Sequence, residues 1–504
     1  MPFVPLLSSP VLTWIAFLGA IFILLGITEW LSARWQVGPD ATRRTVHVIV
    51  GLLIFFCRFI FRDPFWPLVT GVLFIGINLV TLRMAKFKSM HATERVSYGT
   101  VYFPLAFVVL VALFWERSPL ALEIGILVLA LADPLAAWVG RRWGRSPFAL
   151  WQDPKTVAGT GAMWAGSFLL IGAGLVFLGP LFSVPDIAPL QLLLTTLLAA
   201  TVATIAEVQS KQGSDNLTVP LAAGLFVYLF LKLPPDSLNQ FLLWTGGSGV
   251  LLGLAFRFRA LSISGSLTAW LLGLFIFLSG GWIWVGPMVA FFVLSSILTR
   301  YNHRTAALPD RVGLSTLSRA NPGQRDLVQV MANGGIPLLV ALAYGLGRME
   351  PLYLVYLAAL AGATADTWAT EIGSWSRRPP RDIITRRPLM IGTSGGVTWL
   401  GTAGSLVGAA TLAAVGWGLQ PQLFSPRLWL IITTIGFFAA LVDSLLGATV
   451  QARYKDPATG EITEETALRG MGAELHSGWS WLDNNMVNLV CTTSAALAGL
   501  VFLI

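Results

Sequence analysis

Charge is scarce in this chain. Only 12% of its 504 residues are Asp, Glu, Lys or Arg, about half the share of a soluble globular protein. That shortage excludes a soluble enzyme, and the apolar excess that accompanies it excludes a disordered chain. Cysteine is scarcer still. Cys57 and Cys491 sit far apart in apolar runs, which excludes a disulfide framework and a cysteine metal site. His91, His303 and His476 are isolated, so no zinc spacing such as HExxH exists. What is present is hydrophobic. Ala, Val, Ile, Leu, Met, Phe, Trp, Tyr and Cys make up 55% of the chain, in runs near the roughly 20 apolar residues that a membrane-spanning helix needs. The loops between them are too short for a large soluble domain.

Apolar runs fall at 11–31, 45–61, 65–82, 98–115, 119–140, 158–180, 188–207 and 217–231, then at 240–256, 265–279, 281–299, 326–346, 351–372, 395–417, 428–451 and 484–504. The expected fold is an all-α polytopic integral membrane protein with about 16 transmembrane helices in two tandem related bundles. No basic residue precedes Val11 and the first run continues to Trp30, so it reads as a retained helix rather than a cleaved signal. Of the 33 Lys and Arg residues, all but Arg58, Arg62, Arg117, Lys232, Arg348 and Arg427 fall in alternate loops, beginning with loop 32–44. The positive-inside rule then places those loops in the cytoplasm and both termini outside. The expected location is the cell inner (cytoplasmic) membrane, with the active sites on its cytoplasmic side.

The chain repeats itself. The segment RRTVHVIVG (43–51) resembles RDLVQVMAN (325–333), so Arg43 meets Arg325 and His47 meets Gln329. The segment at 130–145 resembles 363–378, so Asp133 meets Asp366 and Gly140 meets Gly373. An acidic residue ending a helix is twice followed by an Asp-Asn pair: Glu207 then Asp215-Asn216, and Asp443 then Asp483-Asn484. Between these pairs, Lys155 to Gly161 is set against Gly392 to Gly396 as a Gly/Thr-rich helix start. Three ordered matches indicate related domains at 1–235 and 236–504.

Acidic residues at the ends of membrane helices are costly to desolvate and read as functional. Asp133 and Asp366, flanked by alanines, are the leading pair. Glu123 and Glu350 read instead as helix-end residues solvated at the interface. Lys155 precedes a Gly-rich helix start, where free N–H groups and the helix dipole attract anions, so it is expected to touch phosphate, with Thr156 and Gly159 beside it. Thr393, Ser394, Gly395 and Gly396 repeat that design without the lysine, and Arg386 and Arg387 can supply the charge. Those arginines also satisfy the positive-inside rule. Glu207 and Asp215 suit Mg²⁺, which takes one or two carboxylates plus phosphates. Glu207 with Lys211 can equally be a helical ion pair, and Asp215 an N-cap. Asp483, Asn484 and Asn488 repeat the pattern. His47 shares a helical face with Arg43; it can be a base, a phosphate donor or a buried hydrogen-bonded histidine, and a phosphate or nucleotide contact is the favoured reading.

These residues carry a resemblance. Segment 43–220 resembles the polyprenol kinase family, which includes phytol and dolichol kinases and is related to the phosphatidate cytidylyltransferases. The matching positions are Arg44, His47, Tyr98 to Thr100, Ala132 to Pro134, Gly140 to Arg142, Gly144, Pro154 to Thr156, Gly159, Thr160, Glu207, Lys211, Asp215, Asn216 and Pro220. Segment 250–504 resembles the phytyl-phosphate kinase family through Gln329, Val330, Ala332 to Gly334, Ala365 to Gly373, Gly392 to Val397, Asp443 to Ala448, Gln451, Asp483 to Asn485 and Asn488. The resemblance implies CTP as phosphoryl donor, Mg²⁺ as cofactor, and an isoprenoid alcohol or isoprenyl phosphate as acceptor. It implies catalytic roles for Asp133, Lys155, Asp366 and Arg387. Nucleotide contacts are expected from Arg43, Arg44, His47, Thr156, Gly159, Lys211, Asn216, Gln329, Asn333, Thr393 to Gly396, Asn484 and Asn488. Metal contacts are expected from Asp133, Glu207, Asp215, Asp366, Glu371, Asp443 and Asp483. No nucleic-acid partner is expected. The competing readings are a cytidylyltransferase acting on a lipid phosphate, a repeat-built transporter and a non-catalytic scaffold.

Overall fold

The computed structural model describes residues 9–85, 98–151, 153–306, 324–390, 392–455, 462–464, 467–468 and 471–504. His91 and the loop cations Lys86, Lys88, Arg95, Arg311, Arg319 and Arg469 lie outside the described residues. Contacts divide the chain into two compact units, Met1–Leu233 and Pro234–Ile504.

The first unit holds α1 (Pro10–Arg34), α2 (Pro39–Phe55), the single turn α3 (Cys57–Ile60), α4 (Phe65–Ala85), α5 (Gly99–Phe114), α6 (Pro119–Leu127), α7 (Asp133–Trp143), α8 (Val157–Ala173), α9 (Pro189–Val208) and α10 (Asp215–Leu231). Proline opens α1, α2, α6 and α9, where a missing N–H costs no helical bond. The hydroxyls of Ser118 and Thr156 cap α6 and α8 by accepting from the amides of Ala121 and Gly159, as expected of such residues at N-caps. A two-stranded antiparallel pair, β1 (Pro147–Phe148) with β2 (Lys155–Thr156), leads into α8.

The second unit holds α11 (Leu238–Arg257), α12 (Ile263–Ala306), α13 (Leu327–Gly347), α14 (Leu352–Gly373), α15 (Trp399–Leu419), α16 (Pro426–Thr449) and α17 (Asn484–Leu503). The α12 helix breaks at Gly281, whose φ of 67° and ψ of −154° suit glycine. The pair β3 (Arg381–Asp382) with β4 (Gly396–Val397) leads into α15. The loop before α17 folds as β5 (Arg453–Lys455), β6 (Ile462–Thr463), β7 (Ala467–Leu468), β8 (Met471–Gly472) and β9 (Glu474–Ser477).

Each unit is organised on a buried central helix. In the first, α6 runs into α7 through a π-turn, Val128–Ala132, and packs on α2, α5, α8 and α10. In the second, every residue of α14 from Leu352 to Ala365 is buried, among α12, α13, α15, α16 and α17. Small residues on such a helix let its neighbours approach closely. The buried stretches end at Asp133 and Asp366.

The two units share one helix crossing in detail. A Cβ on Gly140 would lie 2.8 Å from Thr156 Oγ1, and one on Gly373 would lie 3.2 Å from Thr398 Oγ1. A Cβ on Gly159 would lie 3.0 Å from the Ala136 carbonyl, and one on Gly401 would lie 2.7 Å from the Ala369 carbonyl. This corrects the sequence pairing of 392–396 with 155–161. The counterpart of Thr156 is Thr398, which caps α15 by accepting from Gly401 N, and Val397 stands where Lys155 does. Thr393 to Gly396 form a turn instead, because Gly395 takes φ +81°, outside helical space for an L-residue.

Every apolar run read from the sequence lies on a helix. Among the described residues, ten helices are long and apolar enough to cross a membrane, fewer than the sixteen expected. The α12 pair is counted once, α5 is short and α2 carries charges in its first turns.

Candidate functional site

The chemistry of the first unit gathers where α2, α7, β2, α9 and α10 meet. Pro134 has no amide hydrogen, so the carbonyl of Ala130 loses its helical partner. The chain relaxes into the π-turn, with the Asp133 amide reaching back to Val128. Single π-turns often mark functional sites. Here the turn leaves the Leu129 carbonyl to His47, whose Nε2 lies 2.9 Å away. Phe103 meets the imidazole edge-on at 4.8 Å. In the second unit Thr367 replaces Pro134, α14 is regular, and Gln329 replaces His47.

Lys155 is clamped between two carboxylates. Its Nζ donates to Glu207 Oε1 at 2.6 Å and to Asp215 Oδ2 at 3.4 Å. Burial lowers the lysine pKa, but the charges of Asp215 and Glu207 and the hydrogen bond to Glu207 outweigh it, and the net shift is upward. Ser210 and Asn216 donate to Asp215. The second Glu207 oxygen, Oε2, is buried without a hydrogen-bond partner among the described residues. Asp133 lies within electrostatic reach of Asp215, Lys155, Glu207 and Arg43. Lys211 leaves this group. The α9 helix ends at Val208, Gln212 and Gly213 take positive φ, and the lysine sits 5.4 Å over the Trp151 ring, so no helical pair with Glu207 forms.

A cavity of about 1440 Å³ joins these groups. Arg43, Arg44, His47, Asp133, Lys155, Thr156, Gly159, Glu207, Asp215 and Asn216 line its polar chamber. A buried guanidinium nitrogen of Arg44, Nη1, has no acceptor among the described residues. An Asp40–Arg141 pair at 3.1 Å also belongs to the chamber wall. Beyond His47 the lining turns apolar, through Val50, Ile54, Phe74, Phe103 and Phe107.

In the second unit the carboxyls of Asp366 and Asp443 lie within hydrogen-bonding reach of each other. Asp443 Oδ2 and both amide atoms of Gln451 are buried without partners among the described residues. The Thr393–Gly396 turn is held beside them. Arg453 Nη2 donates to the carbonyls of Ser394 and Gly447 at 3.0 and 2.8 Å, and the Ser394 hydroxyl donates to Glu464. Other expected residues are engaged elsewhere. Glu371 accepts from Thr299 and from Asn302, the latter at 2.6 Å. Asp483 caps α17 through Met486 N. Gln329 closes a capping box with Asp326, and with Asn333 and Arg325 it lines an apolar pocket of about 80 Å³. Arg386, Arg387 and Asn484 are exposed, and Asn488 is half-buried one turn into α17.

The residues resemble those of known proteins. Residues 247–496 match the family described as integral membrane protein DUF92. The phytol kinase of Synechocystis sp. is 33% identical over 226 residues, 43% of this chain and 91% of that protein. The chain belongs to the phytol kinase-type family. Protein PGR of Arabidopsis thaliana is 28% identical over 263 residues, 47% of this chain and 86% of that protein. The chloroplastic farnesol kinase of Arabidopsis thaliana is 25% identical over 228 residues, covering 41% and 71%. No solved structure matches.

In this phytol kinase-type chain the sequence reading missed three features. The Leu129 carbonyl was one, although a proline directly after a helical aspartate was its signal. The clamp on Lys155 was another, because its partners are 52 and 60 residues away. Glu123 was the third. Expected to be solvated, it is fully buried, with both oxygens unpartnered among the described residues. The reason is local: Ser118 starts α6 early enough to carry Glu123 a full turn inside. Glu350 stays exposed and accepts from Tyr344.

Proposed function

We propose that this chain is a membrane kinase for an isoprenoid alcohol, with the phosphoryl-transfer site in the first unit. One observation carries the reading. A chamber holding Lys155, Asp133 and Arg44, whose Nη1 has no acceptor among the described residues, opens into an apolar arm within one cavity. A volume of about 1440 Å³ exceeds the ~300–1,000 Å³ typical of a single ligand, so a nucleotide and a lipid fit together. Names of relatives support the acceptor class: phytol kinase and farnesol kinase.

Phosphoryl transfer needs positioning and neutralisation of charge more than covalent chemistry. Arg43, Arg44 and Lys155 supply cations to the triphosphate, and Thr156, Gly159 and Thr160 at the start of α8 line the same chamber. The alcohol oxygen attacks the terminal phosphorus, the bond to the bridging oxygen breaks, and a nucleoside diphosphate leaves. The hydroxyl proton passes to Asp133. His47, fixed by Leu129, aligns the acceptor. CTP is the proposed donor. The donor set fits Mg²⁺ held by one or two carboxylates and by phosphate oxygens, since Glu207 carries an orphaned oxygen and Asp133 lines the chamber. No cluster of three metal-ligating side chains occurs among the described residues. A bound ion would neutralise phosphate charge.

The second unit is proposed to add a further phosphate to the monophosphate, which makes the chain bifunctional. Both sites are proposed to face the cytoplasm of the inner membrane. The test is purified protein with labelled CTP and phytol, farnesol or geranylgeraniol. Lipid monophosphate and diphosphate are expected. A lipid product carrying CMP overturns the kinase reading.

A further inference from the structure

The connection between α16 and α17 spans 450–483, where the first unit joins α9 to α10 through 209–214. Among the residues it adds is Glu464, directly after β6, whose carboxylate rests on the Thr393–Gly396 turn. Glu464 Oε1 accepts from the Ser394 amide at 3.3 Å and from the Ser394 hydroxyl. Gly392 and Gly395 both take positive φ, and backbone of this kind turns its N–H groups into an anion-binding concavity. The group seated there is itself an anion. It stays although Asp443 lies within its electrostatic reach and like charges repel, so the donors of the turn hold it. Two further groups converge on the same place. Arg453 braces the turn through Nη2, which donates to the Ser394 and Gly447 carbonyls, and its other guanidinium nitrogens make no hydrogen bond among the described residues. It brings the charge that Val397 lacks where the first unit has Lys155. Gln451 is 2% exposed, and neither of its amide atoms has a partner among the described residues. A Cβ on Gly447 would lie 3.3 Å from Gln451 Oε1, 2.9 Å from Gly395 N and 3.1 Å from Ser394 Cβ, so this orphaned amide abuts the turn.

We propose that the Thr393–Gly396 turn, with Arg453 and Gln451, is a phosphate cradle in which Glu464 is an internal competitor. The ligand is a terminal phosphate, carried by a lipid monophosphate or by a nucleotide. It takes the Ser394 donors that Glu464 now holds, and the Gln451 amide hydrogens and the Arg453 guanidinium complete its shell with charge-assisted bonds. The inference deepens the proposed second-unit kinase and rests on that reading for its phosphate. A carboxylate and a phosphate cannot share the same donors, so the ligand must displace Glu464. Its affinity is then reduced by the fraction of molecules in which the cradle is open.

The test uses the full chain in detergent, as wild type, Glu464→Ala, and Glu464→Ala combined with Ser394→Ala. Half-saturation by inorganic phosphate, farnesyl phosphate and CTP is read from thermal stabilisation. The first unit is the same in all three proteins, so differences between them report the second. Glu464→Ala removes the competitor and should tighten inorganic phosphate by about tenfold, the gain if the cradle is open in roughly a tenth of wild-type molecules. Adding Ser394→Ala should give that gain back, since one hydrogen bond to a charged group is worth about tenfold. Phosphate affinity unchanged or lowered in Glu464→Ala overturns the proposal and leaves Glu464 a tether. Equal stabilisation by chloride at matched ionic strength overturns it too. A gain shared by farnesyl phosphate but not CTP supports the cradle as the acceptor's, and the reverse supports it as the donor's. Should Glu464→Ala fail to fold, Glu464→Gln, which keeps the shape without the charge, decides by the same readout. Tighter phosphate binding in a protein that makes no lipid diphosphate would sink the second-unit kinase reading and leave the cradle standing.

Discussion

The imidazole Nε2 of His47 lies 2.9 Å from the Leu129 carbonyl, a contact between residues 82 apart in the chain. It depends on Pro134, which forces the π-turn that frees that carbonyl. The second unit has Thr367 and a regular helix at the equivalent place. Pro134→Thr should therefore restore α-helical bonding, return Leu129 to the Asp133 amide and release His47. We expect roughly a tenfold fall in kcat, less than the ~10²–10⁴-fold that a general acid or base itself contributes, with little change in KM for the alcohol. The pH–rate profile should shift, because His47 has lost its fixed donor role. An unchanged profile would show that the π-turn is only structural.

Lys155 opposes two half-buried or buried carboxylates. Lys155→Met leaves Glu207 and Asp215 side by side without a cation, and breaking a buried pair in this way costs about 3 kcal/mol. The variant should melt lower and lose turnover, and Lys155→Arg should recover part of the stability. The shift of the lysine is upward, so its contribution is fully present below its unfolded pKa of about 10.4. It is lost as pH rises through the higher folded value. Melting from neutral to strongly alkaline pH should show wild type losing this increment at the alkaline end, while Lys155→Met shows no such loss. Parallel curves for the two proteins would contradict the clamp.

Gly395 holds φ +81°, and a Cβ there would lie 2.6 Å from the backbone of Ala448. Left-handed geometry alone costs an L-residue roughly 1–2 kcal/mol, and the clash adds to it. Gly395→Ala should push the Thr393–Gly396 turn away from α16 and impair the second unit. Phosphorylation of supplied monophosphate should fall while phosphorylation of alcohol continues. Loss of the alcohol step alone would assign the turn to the wrong reaction.

The sequence disclosed the helices because each is an uninterrupted apolar run, and it disclosed the repeat because the aspartate-to-glycine spacing of 133–140 recurs at 366–373. It placed Asp133, Lys155, Glu207 and Asp215 together because all four lie at helix ends on the same expected face. It did not disclose what those groups do to one another. The clamp of Glu207 and Asp215 on Lys155 joins residues 52 and 60 apart, and no local pattern reports a contact over that separation. The equivalence of Thr156 with Thr398 was hidden for a related reason. Glycine-rich turns resemble one another in composition, and only the crossing of Gly140 on Gly159 and of Gly373 on Gly401 fixes the register.

The proposed division of labour between the units rests on the charges that each acceptor would bring. An alcohol must lose a proton as it attacks, so its kinase gains from a base, and the first unit offers Asp133 beside a positioned His47. A lipid monophosphate is already anionic and needs no strong base, and the second unit has no histidine at the equivalent place. Its paired Asp366 and Asp443 lie within hydrogen-bonding reach, a contact that an asparagine amide can make, so Asp366→Asn keeps the packing while removing a carboxylate. That variant should convert alcohol to monophosphate and accumulate it. Asp133→Asn should fail on alcohol yet still convert supplied monophosphate to diphosphate. Product analysis by mass of both variants, each given alcohol and monophosphate separately, decides the matter. If Asp366→Asn loses the first step and retains the second, the roles of the units are reversed. If either variant alone abolishes both steps with the protein still folded, the two units form one catalytic system rather than two.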